Sequence, residues 1–556
     1  MSKRKLQKAL GLILSTAMIA GLAACGSENT QGTTASSETQ QESVVESTTP
    51  TEPSEKEPEV VEITYPLDTD VTLKFWATNA LKIRGPYETA DASPFHSGLS
   101  RKTGVDLEWT FPQSGVSAVQ AFNLLLTDEE MPHIIYYSPT PAEAETYIAD
   151  GLIYDLTEYL PKYAPDYWAF INDEANTALR RAATTESGQH FMFAATVESD
   201  INVTYQGLAV RKDWLDACGL DIPTTLEDWE TMLATFKEKY GATFSSPKAG
   251  YGVASAFGAY ADKAATWYID DNGQVTFANN TDEYKAFLET LHRWLEEGLM
   301  DPDITTNDAT ALRNKCLNNE VGAMFLPASA LRNVLADAES AGNGAEWVGV
   351  PYPVAKEGAP TTWVQTRVSN GNGLGAMITT ECSEEELILA LNFLNYGYTE
   401  EGIMYWNFGE EGVTYTLDAN GKPQWTELIT KDEAGANTAY TYYVGTSSSG
   451  PTIQAEDQIV LINKGAAIEA LRQFSSKASE AKKHCMPLVS LTEAEHLVYT
   501  DAWTAINTYV SENIASFING DKSLDEWDAY KAELDKMGLK ECRDVYQAAY
   551  ERWLAK

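Results

Sequence analysis

The sequence predicts an α/β fold, because short strand-like runs alternate with amphipathic helical segments along most of its length. The run Val71–Trp76 alternates in polarity and predicts a first strand, and His133–Tyr137 predicts another. Capping boxes, in which Ser or Thr precedes an acidic residue by three positions, predict helix starts at Ser383, Thr492 and Ser523. This mixture of elements is typical of layered α/β proteins.

The residues after each cap recur at helical spacing, so we expect each helix to turn an apolar stripe toward a core. A fourth cap is predicted at Thr225, closed by Asp228, and the helix from Thr492 is expected to end near Gly520. The other expected stripes and stops are Leu387, Ala390, Leu391 and Leu394 before Gly397; Trp527, Tyr530 and Leu534 before Gly538; and Trp229, Met232, Leu233 and Phe236 after Thr225.

The start of the chain predicts a lipoprotein signal peptide over residues 1–24. Four basic residues within the first eight precede the apolar run Ala9–Ala20, which is too short for a stable membrane span. The sequence Leu-Ala-Ala-Cys that ends at Cys25 resembles the lipobox of bacterial lipoproteins, in which the Cys is acylated, for example with palmitate. An ordinary cleaved signal peptide is the alternative. Because two or more acyl chains anchor a protein stably, we expect Cys25 to hold the protein on the extracellular face of the membrane, in a Gram-positive cell.

Composition divides the remaining chain into a stalk and a folded part. Residues 25–65 are rich in Ser, Thr, Glu, Gln and Pro and predict a disordered acidic stalk. The whole chain is 44% apolar with 14 Trp and 28 Tyr, and residues 66–556 are long enough for two or three domains. A formal net charge of −41 argues against nucleic acid as a partner. We find no internal repeat and no second membrane-spanning segment in the sequence.

Motifs for catalysis or metal binding are absent from the sequence. It contains no GxSxG, HExxH, P-loop or helix-opening GxGxxG motif, and its six histidines are scattered. The five cysteines after Cys25 form no CxxC or Cys/His cluster, so we expect mostly buried thiols and no zinc site. The sequence leaves open whether two of them form a disulfide. We therefore expect no enzyme, cofactor or metal. A glycan-active enzyme remains the alternative, because glycoside hydrolysis needs only two carboxylates close in space.

Several longer segments resemble one family in the same order along the chain. They are Ser100–Trp109, Leu124–Tyr137, Asp150–Trp168, Arg211–Trp229 (RKDWLDACGLDIPTTLEDW), Leu291–Asp303, Asn319–Phe325, Phe408–Tyr415 and Phe517–Leu539. These segments are similar to those of the extracellular solute-binding proteins of family 1, the lipoprotein receptors of ABC importers. The similarity is greatest to the LplA-like subgroup and the alginate-oligosaccharide receptors.

The resemblance implies a two-lobed periplasmic-binding-protein-like fold of type II, with a hinge and a ligand cleft between the lobes. Lobe one is expected over residues 66–200 and 368–455, and lobe two over residues 201–367 and 456–556, which include the C-terminal helices. The implied function is capture of a carbohydrate, most simply an oligosaccharide, by cleft closure. The implied partners are the permease subunits of an ABC transporter, and we expect a monomer. A sensing or adhesion lipoprotein, or a peptide receptor, stays open as an alternative.

The family pattern places ligand-binding residues after the first strand, after the strand near Tyr137, and at the lobe crossings. Aromatic rings stack on sugar faces, while amide and guanidinium groups bind hydroxyls. Trp267 lies in a stretch of weak periodicity, which suits a binding loop, and Trp406, which follows EEGIMY, is another candidate. Any one of the aromatic candidates could instead belong to a core. The expected ligand-binding residues are Trp76, Asn79, Tyr137, Tyr205, Gln206, Trp267, Tyr268, Trp363, Arg367 and Trp406.

The sequence departs from its relatives at their calcium loop. After Phe236-Lys237 the chain reads EKYGATFSSPKAG, which offers one carboxylate where calcium needs six to eight oxygens. We therefore do not carry the metal site over. The run Asp270–Gly273 predicts a hairpin turn, and the Asp-Pro-Asp segment at Asp301 is expected to end a helix.

Overall fold

The computed structural model describes residues 60–78, 87, 89–90, 92–113, 115–128, 130–247, 251–261, 266–342, 344–361, 363–366, 371–445 and 450–556. All of them belong to one structural unit, Pro58–Lys556. Cys25, Asn79 and Arg367 lie outside the described residues, and with them the predicted lipid anchor and two predicted ligand contacts.

Six strands from distant parts of the chain form the first sheet. They are β1 (Thr72–Ala77), β2 (Asp106–Thr110), β3 (Ile134–Tyr136), β4 (Phe193–Val197), β11 (Gly371–Ile378) and β14 (Ile453–Gln454). The order across the sheet is β14-β4-β11-β3-β1-β2. β11 runs antiparallel to its neighbours β3 and β4, while β1 is parallel to β2 and β3, and β14 is parallel to β4.

Four strands form the second sheet, and two hairpins complete the β structure that the described residues show. The second sheet contains β5 (Gln206–Arg211), β6 (Thr243–Ser245), β9 (Val321–Pro327) and β10 (Trp347–Val350), and the hairpins are β7 (Trp267–Ile269) with β8 (Val275–Phe277) and β12 (Tyr415–Leu417) with β13 (Pro423–Trp425). The order across the second sheet is β10-β5-β9-β6, with β5 antiparallel to both neighbours and β6 parallel to β9.

Helices cover both sheets and form the C-terminal part. They are α1 (Pro94–Thr103), α2 (Ala118–Leu125), α3 (Pro141–Ala149), α4 (Leu160–Tyr163), α5 (Pro165–Ile171), α6 (Thr177–Ala182), α7 (Lys212–Cys218), α8 (Leu226–Tyr240), α9 (Asp282–Glu296), α10 (Ala309–Leu317), α11 (Ala328–Ala341), α12 (Glu384–Tyr396), α13 (Glu400–Phe408), α14 (Glu427–Thr430), α15 (Ala436–Tyr443), α16 (Glu456–Ile462), α17 (Ala466–Ser475), α18 (Ala478–Ala481), α19 (Glu493–Asn519), α20 (Trp527–Lys536) and α21 (Leu539–Ala555). No helix in the described part of the chain is long and apolar enough to cross a membrane.

Most of the predicted helix signals are confirmed. Reciprocal capping boxes form at Ser383 with Glu386, Thr492 with Glu495, and Thr225 with Asp228. The predicted stripes are buried, and the helices stop at or beside Gly397, Gly520 and Gly538. At Ser523 the structure differs, because its side chain accepts from the Asp525 N–H and the helix opens with a 3₁₀ turn.

Each sheet has its own apolar core. The core of the first sheet joins β1, β3 and β4 to α12 and α13, and its central side chains include Phe75 and Phe193. The core of the second sheet includes Trp229 and Trp294 and extends to Val510 and Tyr530 of the C-terminal helices. The five described cysteines are free thiols, and burial raises the pKa of Cys316 and Cys382 to about 12.

Candidate functional site

The chain crosses from one sheet to the other at matching edges. Residues 198–205 run from the carboxyl end of β4 to the amino end of β5, and residues 351–370 run from the carboxyl end of β10 to the amino end of β11. After β14 the chain leaves the first sheet again, and α17 packs on β10 and β5. In open α/β sheets, ligands bind outside the carboxyl ends of the strands. In both sheets, therefore, the crossings lie at the edge formed by the carboxyl ends of the parallel strands, where a ligand is expected to bind.

The two crossings are joined by a hydrogen-bonded group of side chains at the second sheet. The buried Gln365 donates from Nε2 to the Tyr205 hydroxyl at 3.2 Å, and its backbone N–H donates to the Tyr352 hydroxyl at 3.4 Å. That hydroxyl donates in turn to the Gln206 carbonyl oxygen at 2.8 Å. Trp363 packs edge-to-face on Tyr352, with ring centroids 5.7 Å apart. The predicted residues Tyr205, Gln206 and Trp363 are thus brought together.

Tyr137 occupies the corresponding edge of the first sheet. It follows β3 directly, and its backbone N–H donates to the Gly375 carbonyl oxygen at 2.9 Å. Its half-buried ring stacks on Phe122 with centroids 4.2 Å apart. Burial, and secondarily the charge of Glu143, raises the pKa of the Tyr137 phenol. The ring is therefore held in place and its hydroxyl stays neutral at physiological pH.

Tyr268 lies beside the second crossing. Its backbone pairs with that of Cys485, whose Sγ lies 3.8 Å from the Thr366 carbonyl oxygen. Its ring stacks face to face on Tyr260 at a centroid distance of 3.8 Å. Burial, followed by the charge of Glu283, raises the pKa of Tyr268 to about 12. A stacked pair of neutral phenols is a rigid surface suited to a sugar face.

Three predicted tryptophans are enclosed by core side chains. Trp76 lies in the core of the first sheet, and Trp267 packs between Trp503 and Tyr546 with centroids 5.4 and 5.5 Å away. Trp406 is covered so closely that a Cβ on Gly445 would lie 2.4 Å from its ring. These rings are 3–8% exposed, and the ring of Trp363 is likewise only 5% exposed, which leaves little area for a ligand. Their assignment as ligand contacts stays a prediction.

Sequence reasoning missed several residues of this site. Tyr352, Gln365 and Tyr260 complete the groups around Tyr205 and Tyr268, and Phe122 supports Tyr137. Gln365 lies between the predicted Trp363 and Arg367, so its position in the crossing segment could have identified it as a site residue. Phe122 and Tyr260 are set by tertiary contacts that no local motif encodes.

The acidic segment at Asp301 forms an ion pair instead of ending a helix. α9 stops at Glu296, and the buried Asp301 accepts from the Lys315 ammonium at 2.7 Å and from the Ser245 hydroxyl at 2.7 Å. Burial alone would raise the pKa of Asp301, but these hydrogen bonds outweigh it and hold the pKa below its ordinary value. Lys315 therefore supplies the positive charge and the hydrogen bond that this buried carboxylate needs.

The described residues contain no group of three or more His, Cys, Asp or Glu side chains placed to hold a metal ion. Only Gly241 and Ala242 separate α8 from β6, so no twelve-residue calcium loop fits between that helix and strand. Asp270 accepts from the Asn272 and Gln274 N–H groups in the turn between β7 and β8, which confirms the predicted hairpin.

Residues 86–404 match the family model described as bacterial extracellular solute-binding protein. The chain belongs to this family. Its members bind solutes and are not enzymes, so the chain is an extracellular solute-binding protein, in agreement with the sequence analysis.

Known relatives match over long stretches at low identity. The fructooligosaccharide ABC transporter substrate-binding protein FusA of Streptococcus pneumoniae is 23% identical, over 98% of both chains. Lipoprotein LipO of Bacillus subtilis is 24% identical, over 60% of this chain and 66% of its own.

Solved structures establish the α/β periplasmic-binding-protein fold for this solute-binding protein. A solute-binding protein of Bifidobacterium longum infantis, described as HMO-binding, has a TM-score of 0.70 at 20% identity and covers 87% of this chain and 99% of its own. A FusA EF-hand mutant in complex with fructo-nystose has a TM-score of 0.65 at 21% identity, over 87% and 100%.

Proposed function

We propose that this solute-binding protein is the receptor of an ABC importer and captures an oligosaccharide between the carboxyl edges of its two sheets. The observation that carries the proposal is that the half-buried rings of Tyr137, Tyr205 and Tyr268 lie at the carboxyl edges of the two sheets. The buried side chains of Tyr352, Trp363 and Gln365 hold the crossings together behind them. Rings and amides on fixed supports match the flat faces and hydroxyl edges of sugars. FusA and the Bifidobacterium protein, whose names give glycan ligands, support the same choice.

Capture would proceed by hinge closure without covalent chemistry. In this proposal lobe one comprises residues 66–200 and 368–455 around the first sheet, and lobe two residues 201–367 and 456–556 around the second. The crossings form the hinge. Closure would bring Tyr137 on one edge toward Tyr205 and Tyr268 on the other, and the closed form would be recognised by the permease subunits.

The proposal includes a lipid anchor and a place within the family. Acylation of Cys25 would tether the receptor through the stalk predicted over residues 25–65, so that it stays close to its transporter at a raised effective concentration. The end of that range already belongs to the folded part, because the Tyr65 ring packs edge-to-face on Tyr396 with centroids 5.0 Å apart. The match to lipoprotein LipO supports the anchor, and we propose that the receptor belongs to the LplA-like subgroup. We propose that the receptor acts as a monomer on the outer face of a Gram-positive membrane.

A thermal-shift screen of the purified full chain tests this function. The panel contains fructans, milk-type oligosaccharides, N-glycans, uronate oligomers and peptides. A ligand at 100 times its dissociation constant adds about 2.7 kcal/mol to the folded state, which raises Tm measurably. We expect a shift with one glycan class, and the glycan should be unchanged afterwards by mass spectrometry.

A matched pair of variants assigns the shift to the site. Tyr137→Ala should abolish most of it, whereas Tyr240→Ala should keep it, because Tyr240 is the last residue of α8 and lies near the amino end of β6, away from the crossings. A shift with peptides alone, or cleavage of the glycan, would overturn the oligosaccharide-receptor proposal.

A further inference from the structure

Two tyrosines from distant parts of the chain meet outside the buried cores. Tyr87 lies on the connection from β1 to α1, and Tyr442 lies in α15. Their ring centroids are 6.2 Å apart at an interplanar angle of 83°. Among the described residues, the buried apolar clusters include neither ring, whereas Tyr440 and Tyr443 of the same helix pack against the cluster that contains Trp425. Core packing therefore does not account for this pair.

The pair lies on the ligand side of the first sheet. The connection that carries Tyr87 leaves the carboxyl end of β1, which shares its edge with the carboxyl end of β3 and with Tyr137. α15 packs against α1, the helix that this connection enters. We therefore assign the pair to the rim of the proposed crevice on the side of the first sheet, whereas the hydrogen-bonded group around Tyr205 and Gln365 lies at the second sheet.

We infer that Tyr87 and Tyr442 form a further carbohydrate-binding site, which holds sugar units beyond those inside the crevice and favours longer chains, given the oligosaccharide receptor proposed above. Both rings are half-buried, so each keeps part of its surface open to solvent. Tyrosine offers a large contact area at a small loss of side-chain entropy, because only two torsions are fixed. A pyranose or furanose face can therefore stack on such a ring.

The hydroxyl chemistry of the pair also suits sugars. Tyr87 forms a side-chain hydrogen bond with Tyr443, and burial together with that bond raises the pKa of Tyr87 to about 12. The phenol is neutral across the physiological range, so it can both donate to and accept from a sugar hydroxyl. The phenol itself is uncharged, and the nearby carboxylate of Asp432, whose charge also raises this pKa, would disfavour acidic sugars.

Calorimetric titration with a chain-length series tests this site. The purified full chain is titrated with members of the glycan class found in the thermal-shift screen, from disaccharide to hexasaccharide. For Tyr442→Ala we expect the Kd for the hexasaccharide to rise roughly fivefold and the Kd for the disaccharide to change less than about twofold. Tyr87→Ala should give the same pattern, and Tyr240→Ala is the control that should change neither.

The series separates the two proposals. If Tyr442→Ala and Tyr87→Ala alter Kd equally for all lengths, or for none, the rim site is overturned while the receptor function stands. If the unsubstituted chain binds no oligosaccharide, both fall. Tyr442→Phe, which keeps the ring, should bind as the unsubstituted chain does. If alanine variants unfold, ¹⁹F-labelled tyrosine at position 442 gives the same answer, because its resonance should shift with the hexasaccharide and not with the disaccharide.

Discussion

Gln365 donates a hydrogen bond to Tyr205 across the two segments that connect the sheets, with 3.2 Å between Nε2 and the phenol oxygen. Tyr205 ends the first crossing and Gln365 lies on the second, 160 residues later. The bond therefore fixes one crossing relative to the other at the point where the lobes would rotate. A contact in this position would act on motion between the proposed lobes more than on either core.

We predict that Gln365→Ala loosens the crossings without unfolding either lobe. The lost bond contributes about 1 kcal/mol, so amide hydrogen exchange in peptides covering residues 352–366 should accelerate roughly fivefold. Tyr205→Phe removes the same bond from the other side and should give a similar change. Unchanged exchange in both variants would mean that the bond does not hold the crossings.

A second prediction concerns the end of the chain. The Arg181 guanidinium lies 4.5 Å from the Trp553 ring centroid, and Lys556 pairs with Glu186 at 3.0 Å. α21 packs on α19 and β8, so its last turn links the C-terminal helices to the segment that precedes β4. Arg181→Ala removes a cation–π contact of about 1 kcal/mol and should speed carboxypeptidase digestion from Lys556. Arg180→Ala is the control and should not speed digestion, because the charge of Arg180 acts on His190 instead.

Local chemistry in the sequence predicted the elements better than the site. α19 begins after Thr492 and ends before Gly520, because helix capping and a left-handed glycine depend only on neighbouring residues in the sequence. By contrast, Trp267 lies in a stretch of weak periodicity that favoured a ligand contact, yet Trp503 and Tyr546 from more than two hundred residues away enclose it. Such burial depends on tertiary contacts, which neither composition nor spacing reveals.

Trp267 gives a third prediction, which separates packing from ligand binding. Truncating a ring buried to 8% exposure leaves a cavity, so Trp267→Ala should cost about 3–5 kcal/mol. For a chain of this size that loss lowers Tm by about 3–5 °C in calorimetry without ligand. Tyr268→Ala, on the neighbouring half-buried ring, should cost less stability and weaken ligand binding more. A Trp267→Ala variant with unchanged Tm and lost binding would reverse the two roles.

The fourth prediction uses the ion pair between Asp301 and Lys315, whose side chains are 4% and 19% exposed. Asp301→Asn leaves the ammonium without its buried carboxylate and should cost about 3–5 kcal/mol at pH 7. Since the pKa of Asp301 is held below its ordinary 3.8, the pair stabilises the folded state above that pH, and the contribution is lost as the pH falls through the folded value. The Tm difference between the two proteins should therefore be constant from pH 7 to about pH 5 and shrink below pH 3.8.

Asp303→Asn is the matched control, because the carboxylate of Asp303 bonds the same lysine at 2.9 Å but is 64% exposed, and the substitution should cost less than about 1 kcal/mol. Equal stability of Asp301→Asn and the unsubstituted chain at pH 7 would show that the pair does not stabilise the fold.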